Sequence, residues 1–159
     1  MTNKKVYLIG TGLILLAALI VVSLTVLPIA LRKAKMSDML DLAMSPTWLS
    51  VGDPLFETGD VLGNKGKEVL AQGEDFSAVT AALEKLCESG FRTGGTQKMP
   101  GGTLAMSVKA CNDAGEIVIL YFEEAKFYYM DNETAVFFEA KNTEVYGELY
   151  QKLISCLAA

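Results

Sequence analysis

The sequence predicts an α+β protein. A single N-terminal transmembrane helix precedes a small domain of antiparallel sheet, about a four-strand meander plus short N-terminal strands, packed by two amphipathic helices. Three observations carry that reading. Residues 6–31 are apolar and uninterrupted by charge. Residues 104–140 fall into strand-length runs rich in β-branched and aromatic residues, separated by turn residues. Residues 75–88 and 142–157 each place their apolar side chains on one helical face.

The first element, VYLIGTGLILLAALIVVSLTVLPIAL at 6–31, holds no ionisable group except the phenol of Tyr7. As a helix it is roughly 39 Å long, against a hydrocarbon core of about 30 Å. A soluble core helix of that length would show a polar stripe, and none is present. Thr11, Ser23 and Thr25 can return their hydroxyls to backbone carbonyls of their own helix. Pro28 sits in the last turn, where a missing hydrogen bond is tolerated. A cleaved signal peptide has an apolar region of about 7–15 residues and a small-x-small junction. This run is longer and ends in Leu-Arg-Lys. A dinucleotide-binding turn fails too: Gly10 and Gly12 fit Gly-x-Gly-x-x-Gly, but the third position is Leu15.

Residues 1–5 form a short basic tail with Lys4 and Lys5; Arg32, Lys33 and Lys35 follow the span. A short basic tail held inside places residues 36–159 outside the cytoplasm. Residues 32–46 read as a basic stop segment and an amphipathic connector, with Met39, Leu40, Leu42, Ala43 and Met44 apolar, ended by Pro46.

The remaining domain is expected at 47–159. Thr47 to Glu57 reads as two extended pieces around Gly52-Asp53-Pro54, and 67–70 as a further short strand. A helix capped by Asp75 or Ser77 carries Phe76, Val79, Leu83, Leu86 and Cys87 as one stripe and stops at Gly90. Residues 92–102 (RTGGTQKMPGG) read as an open loop. Four strands follow, at 104–111, 116–123, 126–131 and 134–140, turning at 112–115 and at Asn132-Glu133. A closing helix capped by Asn142 or Thr143 carries Tyr146, Leu149, Tyr150, Leu153, Ile154 and Leu157.

Composition narrows the chemistry. From residue 36 onward, 9 basic residues against 19 acidic ones give a net charge of −10, which excludes a nucleic-acid role. The chain has no histidine, which removes Ser-His-Asp and Cys-His activation and His-ligated zinc. Gly59 to Lys67 imitates a phosphate loop, but Val61 and Glu68 stand where glycine and a hydroxyl are required. Glu74-Asp75 suits a helix start, and Glu123-Glu124 would point to opposite faces of a strand. Asn112 to Gly115 and Asp131 to Glu133 are too short for a calcium loop. Cys87, Cys111 and Cys156 lack Cys-x-x-Cys spacing; Cys87 pairing with Cys111 or Cys156, and three buried thiols, both remain open.

The aromatic residues at 121–122, 127–129 and 137–138 form either cross-strand core pairs or a ligand groove. No family is recognised by motif. The layout of basic tail, one span and acidic domain resembles anchored proteins of Gram-positive bacteria, in architecture only. The expected function is a membrane-anchored, non-catalytic interaction or sensory-accessory module. Its partners are the bilayer, through 6–31, and a membrane protein; no catalytic, cofactor or metal residue is assigned. The alternatives are an anchored histidine-free enzyme using carboxylates or a cysteine, and a small-ligand domain with an aromatic-lined groove.

Overall fold

The computed structural model describes residues 3–53, 67–98 and 105–158. It divides into two compact units, Met1–Ala34 and Lys35–Ala159.

The first unit is helical: α1, Asn3–Val21, a wider π turn at Val22–Val26, and the start of α2, Leu27–Met44. Pro28 explains the change of winding. Its nitrogen carries no hydrogen, so the Leu24 carbonyl has no ordinary i+4 donor. The Leu27 N–H reaches back instead to the Val22 carbonyl, and the Thr25 hydroxyl donates to the Val21 carbonyl at 2.6 Å. Pro28 thus falls in the first turn of α2, where proline is accommodated. Thr11–Met44 contains a stretch long and apolar enough to cross a membrane.

The second unit is an antiparallel sheet of seven described strands in the order β2-β1-β4-β5-β6-β7-β3. They are β1 Trp48–Gly52, β2 Glu68–Leu70, β3 Phe91–Lys98, β4 Met106–Cys111, β5 Ile117–Phe122, β6 Phe127–Asp131 and β7 Thr134–Ala140. Two further helices are α3, Gly73–Ser89, and α4, Thr143–Ala158. The four expected meander strands are all present. The strand count differs because 92–98 is not loop but most of an edge strand, β3, paired along β7. Its Gly94 is an inserted residue, a β-bulge between Thr93 and Gly95, and Gly95 has φ +111°. Of the expected loop, 99–102 lies outside the described residues, as do 55–57 and the phosphate-loop-like 59–66.

Successive residues of a strand alternate faces, so each strand contributes to two layers. On one side Leu49, Val51, Val108, Ala110, Leu120, Phe122, Phe127, Tyr129 and Phe138 join the buried faces of the helices in a single core. α3 contributes Val79, Ala82, Leu83 and Leu86, with Phe76 and Cys87 half-buried. α4 contributes Tyr146, Leu149, Leu153 and Cys156, so its buried face is rotated slightly from the expected one, and Ile154 is exposed. Asn142 caps α4 as expected, its side-chain oxygen accepting from the N–H groups of Glu144 and Val145. The cap expected for α3 is corrected. That helix starts at Gly73, and neither Asp75 nor Ser77 is its cap; Gln72 precedes it without a side-chain hydrogen bond. Gly90 ends it at φ +77°, its N–H shared between the Leu86 and Cys87 carbonyls.

The helical layer has a third member. Met36, Leu40 and Ala43 of α2 are wholly buried in the same core, spaced i, i+4, i+7. Lys35 opens this segment 4.7 Å above the Tyr129 ring and 3.8 Å from the Asp131 carboxylate. Residues 35–44 rise about 15 Å, close to three inter-strand spacings, which matches a path from β6 to the start of β1. The core therefore begins at Met36, in the unit that starts at Lys35, and not after Pro46.

Candidate functional site

The face of the sheet turned away from the helices is the candidate site, because its residues are not all explained by packing. Register defines it. Glu68 of β2 stands opposite Gly52 of β1, Gly52 opposite Ser107 of β4, and Ser107 opposite Tyr121 of β5. Tyr121 then pairs with Tyr128 of β6, Tyr128 with Phe137 of β7, and Phe137 with Gly95 of β3. One transverse row thus crosses all seven strands, grading from a carboxylate through a hydroxyl to three rings.

The aromatic end is closed. Tyr121 and Tyr128 stack with centroids 5.0 Å apart, and Tyr128 meets Phe137 at 4.9 Å. Lys126 sets its ammonium 4.1 Å above the Phe137 ring, a cation–π contact. Tyr128 is 2% and Phe137 6% exposed, and with Ala105 and Ala135 they form a second small core. Burial, then the charge of Glu123 and then Tyr121, push the Tyr128 phenol above its ordinary range and keep it protonated. The aromatic residues singled out in the sequence are therefore split by the sheet: Phe122, Phe127, Tyr129 and Phe138 face the helices, and Tyr121, Tyr128 and Phe137 face away.

The polar end is built differently. Ser50 is buried and donates its hydroxyl to the Glu68 carboxylate at 2.7 Å, while Lys109 stands 3.5 Å from the same oxygen. Ser107 is fully buried, and its hydroxyl has no partner among the described residues. An unmade buried hydrogen bond costs about 1–3 kcal/mol, so Ser107 is the one polar group here that packing alone does not account for. Trp48, Ser50, Glu68 and Leu70 line a shallow depression of about 500 Å³. Leu70 and Ile117 on this face are at least half exposed.

The other residues weighed in the sequence are not brought together. Glu74 and Asp75 lie in the first turn of α3. Glu123 and Glu124 follow the end of β5 in the turn to β6, where the Glu123 carboxylate is 3.4 Å from the Lys126 ammonium. Among the described residues no three His, Cys, Asp or Glu side chains gather as metal ligands. Lys67 donates to the Leu157 carbonyl at 3.0 Å, in the last turn of α4, where a cation is favoured.

Cys87, Cys111 and Cys156 are all thiols. Cys111 pairs in register with Trp48 and Ile117 on the face away from the helices, so the sheet separates it from Cys87 and Cys156. Burial, aided by Asp41, pushes the Cys87 thiol up to about 11, which leaves little thiolate at neutral pH. Sequence reasoning missed Ser50, Ser107 and Lys109. Their only signal is polarity at alternating positions of strands, which is ordinary for a solvated face. No family model, curated protein or solved structure matches this chain.

Proposed function

We propose that the chain is a membrane-anchored, non-catalytic interaction or sensory-accessory module. The apolar N-terminal helix is its anchor, the acidic domain lies outside the cytoplasm, and the sheet is its contact surface towards a membrane-protein partner. One observation supports this above the others. Leu13, Ile14, Leu15, Leu16, Leu19 and Ile20 are each at least half exposed, so a long apolar helix has no protein covering it. Each such side chain gains about 1.5–3 kcal/mol on leaving water, and a bilayer supplies that burial. Leu70 and Ile117 add exposed apolar surface on the outer sheet face, the kind of surface partners use. The charge of −10 from residue 36 onward, 9 basic against 19 acidic residues, disfavours nucleic acid.

The test is extraction of membranes from cells making the full chain, or a chain starting at Lys35. The full chain is expected to stay in the pellet through an alkaline carbonate wash and to dissolve in detergent, while the shortened chain is soluble. A full chain recovered in the wash would end the proposal.

A further inference from the structure

The π turn inside the apolar helix leaves a backbone oxygen without its helical donor. The Ser23 carbonyl would ordinarily accept from the Leu27 N–H four residues on, but that N–H goes to the Val22 carbonyl. A wider π pattern would offer it the residue five on, which is Pro28 and carries no N–H. The Ser23 hydroxyl is free as well. Thr25 returns its hydroxyl to the Val21 carbonyl, whereas the Ser23 hydroxyl makes no hydrogen bond among the described residues. Residue 23 is about 7 Å of helix rise from the middle of 6–31, so in a bilayer both groups lie within the roughly 30 Å hydrocarbon core. No water reaches them there, and a backbone polar group left unserved is costly. The side chains around them are no help: Leu19, Ile20, Leu24, Val26 and Leu27 are apolar and at least half exposed.

We infer that the anchor pairs in the membrane with the anchor of a second copy, each Ser23 hydroxyl donating to the Ser23 carbonyl of the other. The inference rests on the anchor reading and concerns the apolar helix alone. Copies inserted by the same route share one orientation, so two anchors lie parallel, related by a two-fold axis along the membrane normal. That symmetry puts residue 23 of both copies at one depth, whatever their tilt. Donor and acceptor sit on the same residue, so each copy supplies what the other lacks. A helix of different sequence would need a donor placed at that one depth to do as much. Serine is also small enough to let two backbones come close, and its hydroxyl is among the groups that hold membrane helices together. Pairing through the anchor leaves the outer sheet face free for a different partner.

The test is energy transfer between copies of the full chain in phosphatidylcholine vesicles, with donor and acceptor dyes on Lys152→Cys, an exposed position of α4. The readout is the lipid-to-protein ratio at which transfer is half lost. Ser23→Ala should lower that ratio at least several-fold, while Ser23→Thr, which keeps the donor, should leave it near the parent's. Pro28→Ala restores the missing N–H and lets the π turn close to an ordinary α-helix, so it should weaken pairing too. A ratio indifferent to Ser23→Ala or to Pro28→Ala would overturn the Ser23 contact. A parent chain with no transfer beyond random encounter, yet resistant to the alkaline wash, would overturn the pairing and leave the anchor standing. A chain stripped from the vesicles by the wash would overturn the anchor reading, and the pairing with it.

Discussion

The Tyr146 hydroxyl, on the first turn of α4, lies 2.6 Å from the Lys126 carbonyl oxygen at the start of β6. It is equally close to the Glu123 carbonyl, so one side chain ties the closing helix to both ends of the β5–β6 turn. Its ring stacks with Phe122 and Phe127 at 6.5 Å and 5.9 Å. Tyr146→Phe keeps the stacking and removes that donor, while the Lys126 carbonyl still accepts from the Glu123 N–H at 2.9 Å. The expected loss is about 1–3 kcal/mol, read as a lower urea midpoint at unchanged slope.

The domain boundary gives the second prediction. A fragment Lys35–Ala159 keeps Met36, Leu40 and Ala43 in the core; a fragment 47–159 does not. Burying a Met or Leu side chain is worth about 1.5–3 kcal/mol each, against a total of about 5–15 kcal/mol for a domain. The longer fragment should unfold cooperatively in urea. The shorter one should be unfolded or unfold at a far lower midpoint, and equal midpoints would mean that α2 is not part of the fold.

The closing helix gives the third. Leu153 is wholly buried and Lys152 exposed on the same turn. Leu153→Asp puts an unpaired carboxylate into the core and should cost several kcal/mol, while Lys152→Ala should be nearly silent. Thermal melts of the two variants decide it; a Leu153→Asp variant melting with the parent would show that this stripe does not face a core.

Alkaline pH gives the fourth. Burial holds the Cys87 thiol up at about 11 from an ordinary 9.0, and raises the phenols of Tyr146, Tyr128 and Tyr150 as well. Between pH 9 and 11 the unfolded chain releases the Cys87 proton and the folded chain keeps it. Fewer protons are then bound when unfolded, so stability falls as pH rises. Below pH 9 this contribution is fully present. A urea midpoint measured from pH 8 to 11 should decline through that window, and Cys87→Ala should make the decline shallower.

What was legible in the sequence follows from which interactions are local. The Asn142 cap of α4 depends on neighbours within four residues and is found where the pattern puts it; the helix's stripe is found slightly rotated, with Cys156 turned in and Ile154 turned out. The meander strands are likewise legible from alternation and turn residues. β3 was hidden because RTGGTQK has no apolar alternation. It is an edge strand whose glycines serve a bulge, and its partner β7 lies some forty residues on. The burial of Met36, Leu40 and Ala43 was hidden because a stripe beside a membrane span reads equally well as interface or core. The transverse row was out of reach altogether. It requires β1 beside β4 and β7 beside β3, pairings set by long-range topology.

Topology in intact cells tests the proposed placement of the domain most directly. Lys152 is exposed on α4, whereas the native thiols are buried or half-buried. A full chain carrying Lys152→Cys is treated with a membrane-impermeant maleimide before and after the membrane is opened. An anchored domain outside the cytoplasm predicts full labelling in intact cells, no gain on opening the membrane, and the labelled chain in the washed membrane pellet. Labelling that appears only once the membrane is breached would place the domain inside and contradict the account.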